Sequence, residues 1–389
     1  LDPERVCVAC SACTQIMRDG GRTGCVPRDA SIYEPIYKAG RAEALDTILA
    51  EAKTCRQCND PTCVTGCPAR VNVPKFIGHI AAGRFREAYE TIREQNVLAA
   101  VCGYVCPSET QCEHACINQH YTEAVPIRHL QRWVSRKAVE EGWAAEPRPA
   151  GRASGKRVAV LGVGPAGISA AAALASLGHK VSLFDSGGAP GGQARQTIPA
   201  ERLPSGIVTR EVQDVLASSG VAERRQCAIG KSCTLEDVLG EGFDAVVIAL
   251  GLSRSVPLPD SCRPASGVEG ALEFLTRIKN GGTVTGPVLV LGGGNTAIDA
   301  AVSAKRAGAS DVFIVYRRSF AEMPAWPEER DAAIRAGVHF LVLTAPLAYV
   351  LDEKGNLAGL KVARTKLGEP DASGRRRPEN IPGSEHVLP

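Results

Sequence analysis

The sequence predicts an α/β chain in which a helical, cysteine-rich N-terminal block precedes two strand–glycine–helix units. Three observations carry this. Of the 15 cysteines, 12 lie between Cys7 and Cys116. Gly162-x-Gly164-x-x-Gly167 follows one apolar, strand-like run and opens a helix-like one. Gly292-x-Gly294-x-x-Ala297 repeats that grammar 130 residues later. The 389 residues suffice for two or three domains with their own cores.

Hydrophobic residues make up 44% and charged residues 22%, an ordinary globular composition that excludes disorder as the main state. A net charge of +3 and 5% aromatics argue against nucleic acid as a partner. No apolar run reaches the ~20 residues of a membrane span; the longest, Ala170 to Leu177, reads as a small-residue helix. Leu1-Asp2-Pro3-Glu4-Arg5 leads into cysteines rather than an apolar segment. No signal peptide and a cytoplasmic location are therefore expected. A reducing compartment makes metal ligation the better use of the cysteines than a disulfide scaffold.

In the first block, helices are expected over Arg41–Lys53, over Val73–Gln95 as two pieces broken near Gly83, and over Ile127–Glu141. Between them stand two dense runs: Cys55-x2-Cys58-x4-Cys63-x3-Cys67-Pro68, then Cys102-x3-Cys106-x5-Cys112-x3-Cys116. An iron–sulfur cube needs four ligands, commonly three close cysteines and one distant. A cysteine before proline, like Cys67, is the form that ligates the other cluster of a pair. Zinc would favour well-separated Cys-x2-Cys pairs, so the runs point to two 4Fe–4S clusters. Cys7-x2-Cys10-x2-Cys13, with Cys25 further on, could hold a third iron–sulfur cluster or a zinc ion. A Pro-, Gly- and Ala-rich linker, Ala144 to Gly155, closes the block.

Strand Lys156–Leu161 runs into Gly162-Val163-Gly164-Pro165-Ala166-Gly167, a helix to Leu177, and a second strand, Lys180–Phe184, ending at Asp185. The glycines allow a tight turn and close approach of a pyrophosphate, which the helix N-terminus attracts. Asp185 can accept hydrogen bonds from a ribose. Gly191-Gly192-Gln193 and Ile198-Pro199 form a loop that could face a flavin, and Asp244–Gly251 reads as the strand closing this unit. The second unit has strand Pro287–Leu291, the turn Gly292-Gly293-Gly294-Asn295-Thr296-Ala297, a helix to Ala307 and strand Val312–Val315. It ends in Tyr316-Arg317-Arg318 rather than in an acid. Guanidinium groups there suit a 2′-phosphate, so NADPH is expected over NADH. Two dinucleotide folds imply two dinucleotides, a bound FAD and an exchangeable NADPH. Cys227 and Cys233 are spaced wrongly for a Cys-x-x-Cys redox motif, which sends electrons toward the N-terminal clusters. Strands are also expected at Val338–Leu343 and Leu360–Ala363, and the polar stretch Gly368–Glu385 reads as a loop.

These motifs together resemble the small-subunit family of glutamate synthase, over about residues 40 to 389. Its relatives include the N-terminal half of dihydropyrimidine dehydrogenase and the large subunit of electron-bifurcating transhydrogenase. The resemblance implies a helical iron–sulfur domain followed by two Rossmann-like dinucleotide-binding domains, the FAD domain being interrupted by the NADPH domain. It implies that Cys55, Cys58, Cys63 and Cys116 bind one 4Fe–4S cluster. It gives Cys67, Cys106 and Cys112 to the second, with Gln131 in the place of the family's fourth ligand, which leaves Cys102 a buried thiol. Arg202-Leu203-Pro204 is placed near the flavin, and Tyr316–Ala325 near the adenosine end of NADPH. The expected domains are 1–40, an extra Cys-rich metal segment; 41–145, the dicluster domain; 155–262, an incomplete FAD domain; and 267–389, the NAD(P)H domain. On this resemblance the chain lacks a C-terminal return to the flavin domain. The implied activity is electron entry, with no acid–base side chain, the electrons passing from NADPH through FAD and the clusters to a partner oxidoreductase subunit or fused domain. The acceptor stays open among a glutamate synthase large subunit, a pyrimidine-reducing partner, and ferredoxin as in a ferredoxin-linked transhydrogenase. A non-catalytic metal-binding scaffold is the alternative of another class, and intact glycines and the Arg pair speak against it.

Overall fold

The computed structural model describes residues 44–143, 151–224, 227–252, 266–370 and 375–389. The possible metal set Cys7, Cys10, Cys13 and Cys25 lies outside them. The described residues fall into two units, one reaching Leu252 and the other lying beyond Ser253.

The first unit starts with six helices: α1 (Leu45–Lys53), α2 (Thr62–Gly66), α3 (Val73–Ala81), α4 (Phe85–Arg93), α5 (Ala99–Val105) and α6 (Ile127–Glu140). The break between α3 and α4 is Gly83, at φ +73°. Asn72 caps α3, its side chain accepting from the Lys75 N–H at 3.2 Å, with Pro74 in the first turn. The buried faces meet in one core: Ile48 from α1, Phe76, Ile77 and Ile80 from α3, Tyr89 and Ile92 from α4, Leu130 and Val134 from α6. Each such side chain stabilises by about 1.5–3 kcal/mol when taken fully from water.

A parallel sheet follows, with strands β1 (Arg157–Leu161), β2 (Lys180–Phe184), β3 (Ala222–Arg224) and β4 (Ala245–Ile248) in the order β3-β2-β1-β4. Helices α7 (Pro165–Ser176), α8 (Gly192–Gln196), α9 (Ser205–Ser219) and α10 (Leu235–Gly240) accompany it. Here the structure adds to the sequence reading. Leu98, Val101 and Tyr104, at and within α5, share a core with Val160, Ile168, Leu183, Val208 and Val212 of the sheet half. The cysteine-bearing helices and the first glycine unit are thus one packed body.

The second unit holds α11 (Ala271–Lys279), β5 (Val288–Leu291), α12 (Asn295–Arg306), β6 (Val312–Tyr316), α13 (Pro327–Arg335) and β7 (His339–Val342). Its parallel sheet runs β5-β6-β7. An antiparallel sheet is added by β8 (Thr344–Leu351), β9 (Leu357–Pro370), β10 (Arg376–Asn380) and β11 (His386–Leu388), with β9 pairing the other three. Ile298, Ala301, Val312, Ile314, Met323 and Ala333 form one core, and Val315 packs with Leu360 and Val362 in another.

One reading needs correction. The polar stretch expected as a loop contains β10, paired antiparallel to the end of β9. Most of its side chains are exposed, so it lacks the apolar alternation that marks a strand. Cys227 and Cys233, whose spacing is wrong for a Cys-x-x-Cys redox motif, are nonetheless disulfide-bonded. A tight turn returns the chain, the Gly230 N–H donating to the Cys233 carbonyl at 2.7 Å, which leaves the two Cα atoms 6.0 Å apart.

Candidate functional site

The first cysteine set is assembled by two stapled loops. One runs from the end of α1 through α2 and carries Cys55, Cys58 and Cys63. The other, Gln111 to Asn118, carries Cys116. Gly66, the last residue of α2, is where they touch: a Cβ there would sit 2.8 Å from the Gln111 carbonyl oxygen and 2.9 Å from the Ala115 Cβ. Thr62 Oγ1 donates to the Ala115 carbonyl, and Arg56 Nε donates to Asn118 Oδ1 at 2.8 Å. Cys55, Cys58, Cys63 and Cys116 consequently line one pocket, with Val73, Pro74 and Ile77 of α3 as its apolar wall. Burial, and then the neighbouring Cys116, Cys55 and Cys58, push the Cys63 thiol up to about 11. A buried thiol such as Cys63 ionises reluctantly unless a cation is beside it, which is the condition an iron–sulfur cube meets.

The second set converges in the same way. Burial raises the Cys106 thiol to about 12, with Cys102 and Cys67 adding to the shift and Arg128 opposing it. Cys112 is raised by burial, then by Glu113, Cys106 and Cys67. Cys102 is raised to about 11 by burial, with Glu211 and Cys67 contributing and a hydrogen bond from Asn96 opposing. The structure therefore puts Cys102, expected to be spare, in the company of Cys67 and Cys106. Gln131 stands on α6, which packs on α5 where Gly103 meets the Arg132 backbone; a Cβ at Gly103 would lie 2.7 Å from the Arg132 Cα. Gln131 Nε2 donates to the Ala99 carbonyl at 2.9 Å, which turns its amide toward the start of α5. Glu113 fixes the loop between Cys106 and Cys116, accepting from Ser108 Oγ and the Arg128 N–H at 2.8 Å each. Among the described residues, no three His, Cys, Asp or Glu side chains close around a single metal ion. A cube carries its thiolates on separate corners and spreads them wider than one ion does.

In the first glycine unit the turn Gly162–Gly167 is as tight as its motif demands. A Cβ at Gly167 would fall 1.9 Å from the Gly162 carbonyl oxygen. The loop Gly191-Gly192 docks on this turn, the Gly191 N–H donating to the Val163 carbonyl at 2.8 Å. Pro165 and Ala166 open α7. Asp185 Oδ2 accepts from the Val163 N–H and Oδ1 from the Gly187 N–H, both at 2.6 Å. These bonds orient the carboxylate and leave lone pairs for a ribose. Gln193 is engaged locally, its Oε1 accepting from Thr197 Oγ1 at 2.9 Å. Leu203 is fully buried, so its side chain serves the core; Arg202 bonds through its N–H to the Pro199 carbonyl.

In the second unit a Cβ at Gly294 would meet nothing within 4 Å, an open approach to the start of α12. The segment after β6 folds back over this turn: the Ala325 N–H donates to the Gly293 carbonyl at 2.9 Å, and the Trp326 N–H to Asn295 Oδ1 at 3.0 Å. Thr296 and Ala297 continue the first turn of α12, with Ala297 buried. The two arginines part company. Arg318 is buried, and its Nε donates to the Arg376 carbonyl of β10 at 2.8 Å. Arg317 is exposed.

The structure also shows residues that the motifs did not. Glu211 of α9 is fully buried and accepts from the Ala100 N–H at 2.6 Å and the Val101 N–H at 2.7 Å, capping α5 from the sheet half. Burial pushes its carboxyl up to about 7 against the pull of those two donors and of Arg93. Arg93 of α4 donates to Ser218 Oγ of α9 at 3.1 Å. The signal was there: Glu211 lies on the same buried stripe as Val208, Val212 and Val215.

Residues 35–143 match the family described as dihydropyrimidine dehydrogenase domain II, 4Fe-4S cluster. Residues 156–370 match the pyridine nucleotide-disulphide oxidoreductases. Fold and site together define a pyridine-nucleotide oxidoreductase with an iron–sulfur domain. The glutamate synthase [NADPH] small chain of Escherichia coli is 35% identical over 372 residues, covering 92% of this chain and 76% of that one. The chain belongs to the glutamate synthase small-chain family. The NADP(+)-dependent formate dehydrogenase subunit beta of Moorella thermoacetica is 39% identical, over 84% of this chain. The putative oxidoreductase AegA of Escherichia coli is 35% identical, over 92% of this chain. The chain spans about half the length of these last two, 49% and 55%. The solved structure of Mycobacterium tuberculosis FprA in complex with NADPH aligns with a TM-score of 0.49 at 18% identity, over 62% of this chain and 69% of that one, too loose a likeness to argue from. Among the described residues no helix is long and apolar enough to cross a membrane.

Proposed function

We propose that this chain is an electron-entry subunit that takes reducing equivalents from NADPH and delivers single electrons to a partner oxidoreductase subunit or fused domain. When bound, FAD and NADPH supply hydride transfer, and two 4Fe–4S clusters supply one-electron transfer. The observation that carries this reading is the convergence of Cys55, Cys58, Cys63 and Cys116 on one pocket, within a body whose core is shared with the first glycine unit.

Cys55, Cys58, Cys63 and Cys116 hold the first cluster. Cys67, Cys106 and Cys112, with Gln131, hold the second, and Cys102 is a half-buried neighbour. Gly162, Gly164, Pro165, Ala166 and Gly167 form the turn and first helical residues that face the flavin pyrophosphate, the backbone N–H groups coming from residues other than Pro165, which has none, and Gly162, whose N–H donates to the Phe184 carbonyl, and Asp185 binds the ribose. Gly191, Gly192, Gln193 and Arg202 line the loop on the flavin side. Gly292, Gly294, Asn295, Thr296 and Ala297 do the same for NADPH, and Arg317 reads its 2′-phosphate. No side chain needs to act as an acid or base.

The test is an anaerobic titration, against NADPH, of the protein as isolated in its native complex, with its FAD and clusters bound. The expected result is bleaching of the flavin absorbance followed by the electron paramagnetic resonance (EPR) signal of reduced clusters. Flavin bleaching with the clusters left oxidised would overturn the reading.

A further inference from the structure

Gln57 stands between two cysteines of the first set, Cys55 and Cys58, with a φ of +50°. This left-handed backbone is uncommon for a residue with a long side chain. It has a result: the Gln57 side-chain Nε2 lies 3.4 Å from Cys55 Sγ. The Gln57 backbone N–H donates to the same sulfur. A notch in α3 holds the amide in place. A Cβ on Gly78 would sit 3.1 Å from Gln57 Oε1 and 3.4 Å from Nε2. Glycine costs a helix interior stability relative to alanine, and here the amide occupies the space that alanine would need.

We infer that Gln57 is a positioning residue that raises the reduction potential of the first cluster, by aiming two N–H donors at the Cys55 sulfur from one left-handed residue seated against Gly78. The inference rests on the ligand reading above. Reduction adds one electron to a cluster and increases the negative charge carried by its thiolate sulfurs. An N–H donor stabilises that charge more in the reduced state than in the oxidised one, which raises the potential.

The experiment is an anaerobic redox titration of the reconstituted full chain, read by EPR, with the second cluster as internal reference. Gln57→Gly keeps the backbone donor and suits the left-handed φ while removing the amide. It should shift the first cluster's one-electron equilibrium toward the oxidised form by about three- to tenfold, the upper figure being about 59 mV. Iron content and the second cluster's potential should not move. Gly78→Ala, which leaves Gln57 in place but crowds its amide, should shift the same signal in the same direction by less. An unmoved first-cluster potential in Gln57→Gly overturns the inference; if that variant loses iron, an unmoved potential in Gly78→Ala overturns it instead. Cys55→Ser checks the ligand reading separately. It must abolish or alter the same signal, and a signal indifferent to Cys55 means that the ligand reading has failed and the inference with it.

Discussion

Arg317 and Arg318 are neighbours in sequence with different work to do. Arg317 is exposed at the end of β6, whereas Arg318 is buried and tied to the Arg376 carbonyl. Losing one charge-assisted phosphate contact costs about 1.5–3 kcal/mol, tenfold or more in binding. Arg317→Ala should therefore raise the KM for NADPH at least about tenfold and leave that for NADH nearly unchanged. Equal losses for both coenzymes would show that Arg317 does not read the 2′-phosphate. Arg318→Ala should instead lower the Tm, because it empties the space of a buried side chain and removes its hydrogen bond to β10. Glu211 gives a second prediction at this scale. Its ordinary value is 4.5, and burial raises it to about 7 in the folded chain. Between those values the folded state keeps a proton that the unfolded chain has released. Stability therefore falls as pH rises through this window, by roughly 3 kcal/mol in all. Glu211→Gln cannot ionise, so its Tm should gain on that of the parent chain as the pH goes from 5 to 8. A Tm difference independent of pH would remove Glu211 as the cause. The chemistry-bearing cysteines and glycines are legible in the sequence because their spacing is their signal. Glu211 carries no motif, and only its place on an apolar stripe marks it.

At the scale of elements, the crossing of the two cysteine runs depends on α2 lying against the loop from Gln111 to Ala115. Gly66→Ala should drive that loop away, since the new Cβ would lie 2.8 Å from a backbone oxygen that has no side-chain freedom to yield. Cys63 and Cys67 then part from Cys116 and Cys112, so iron per chain should drop for both clusters. A full iron content in Gly66→Ala would show that the close approach is dispensable. The helices α3, α4 and α6 and the strands β1, β2, β5 and β6 are readable from apolar period and glycine breaks, and they stand within a few residues of expectation. β10 is not readable, because an exposed strand is held by backbone pairing to β9 and shows no period. The disulfide Cys227–Cys233 is also invisible in spacing alone, since it depends on the turn at Gly230.

At the scale of the whole molecule, the segments on either side of the expected boundary near residues 145–155 pack against each other. Leu98, Val101 and Tyr104 bury against the sheet half, and Glu211 caps the helix that carries Cys102. Burial of this kind across a linker cannot be seen in either segment taken alone, which is why composition shows the boundary and not the contact across it. The central claim is that two interleaved cysteine sets hold two clusters in this body. It is tested most directly by iron and sulfide analysis with EPR on the anaerobically reconstituted full chain and on its Cys63→Ser and Cys67→Ser variants. The account predicts about eight iron and eight sulfide from the two sets Cys55–Cys116 and Cys67–Cys112 in the parent chain, each cube holding four of each, in addition to any metal held by Cys7, Cys10, Cys13 and Cys25, so that each variant loses about four iron and four sulfide. Each variant should lose a different reduced-cluster signal, although Cys63 and Cys67 are four residues apart. Zinc in place of iron in these two sets, or the loss of one and the same signal in both variants, would contradict it.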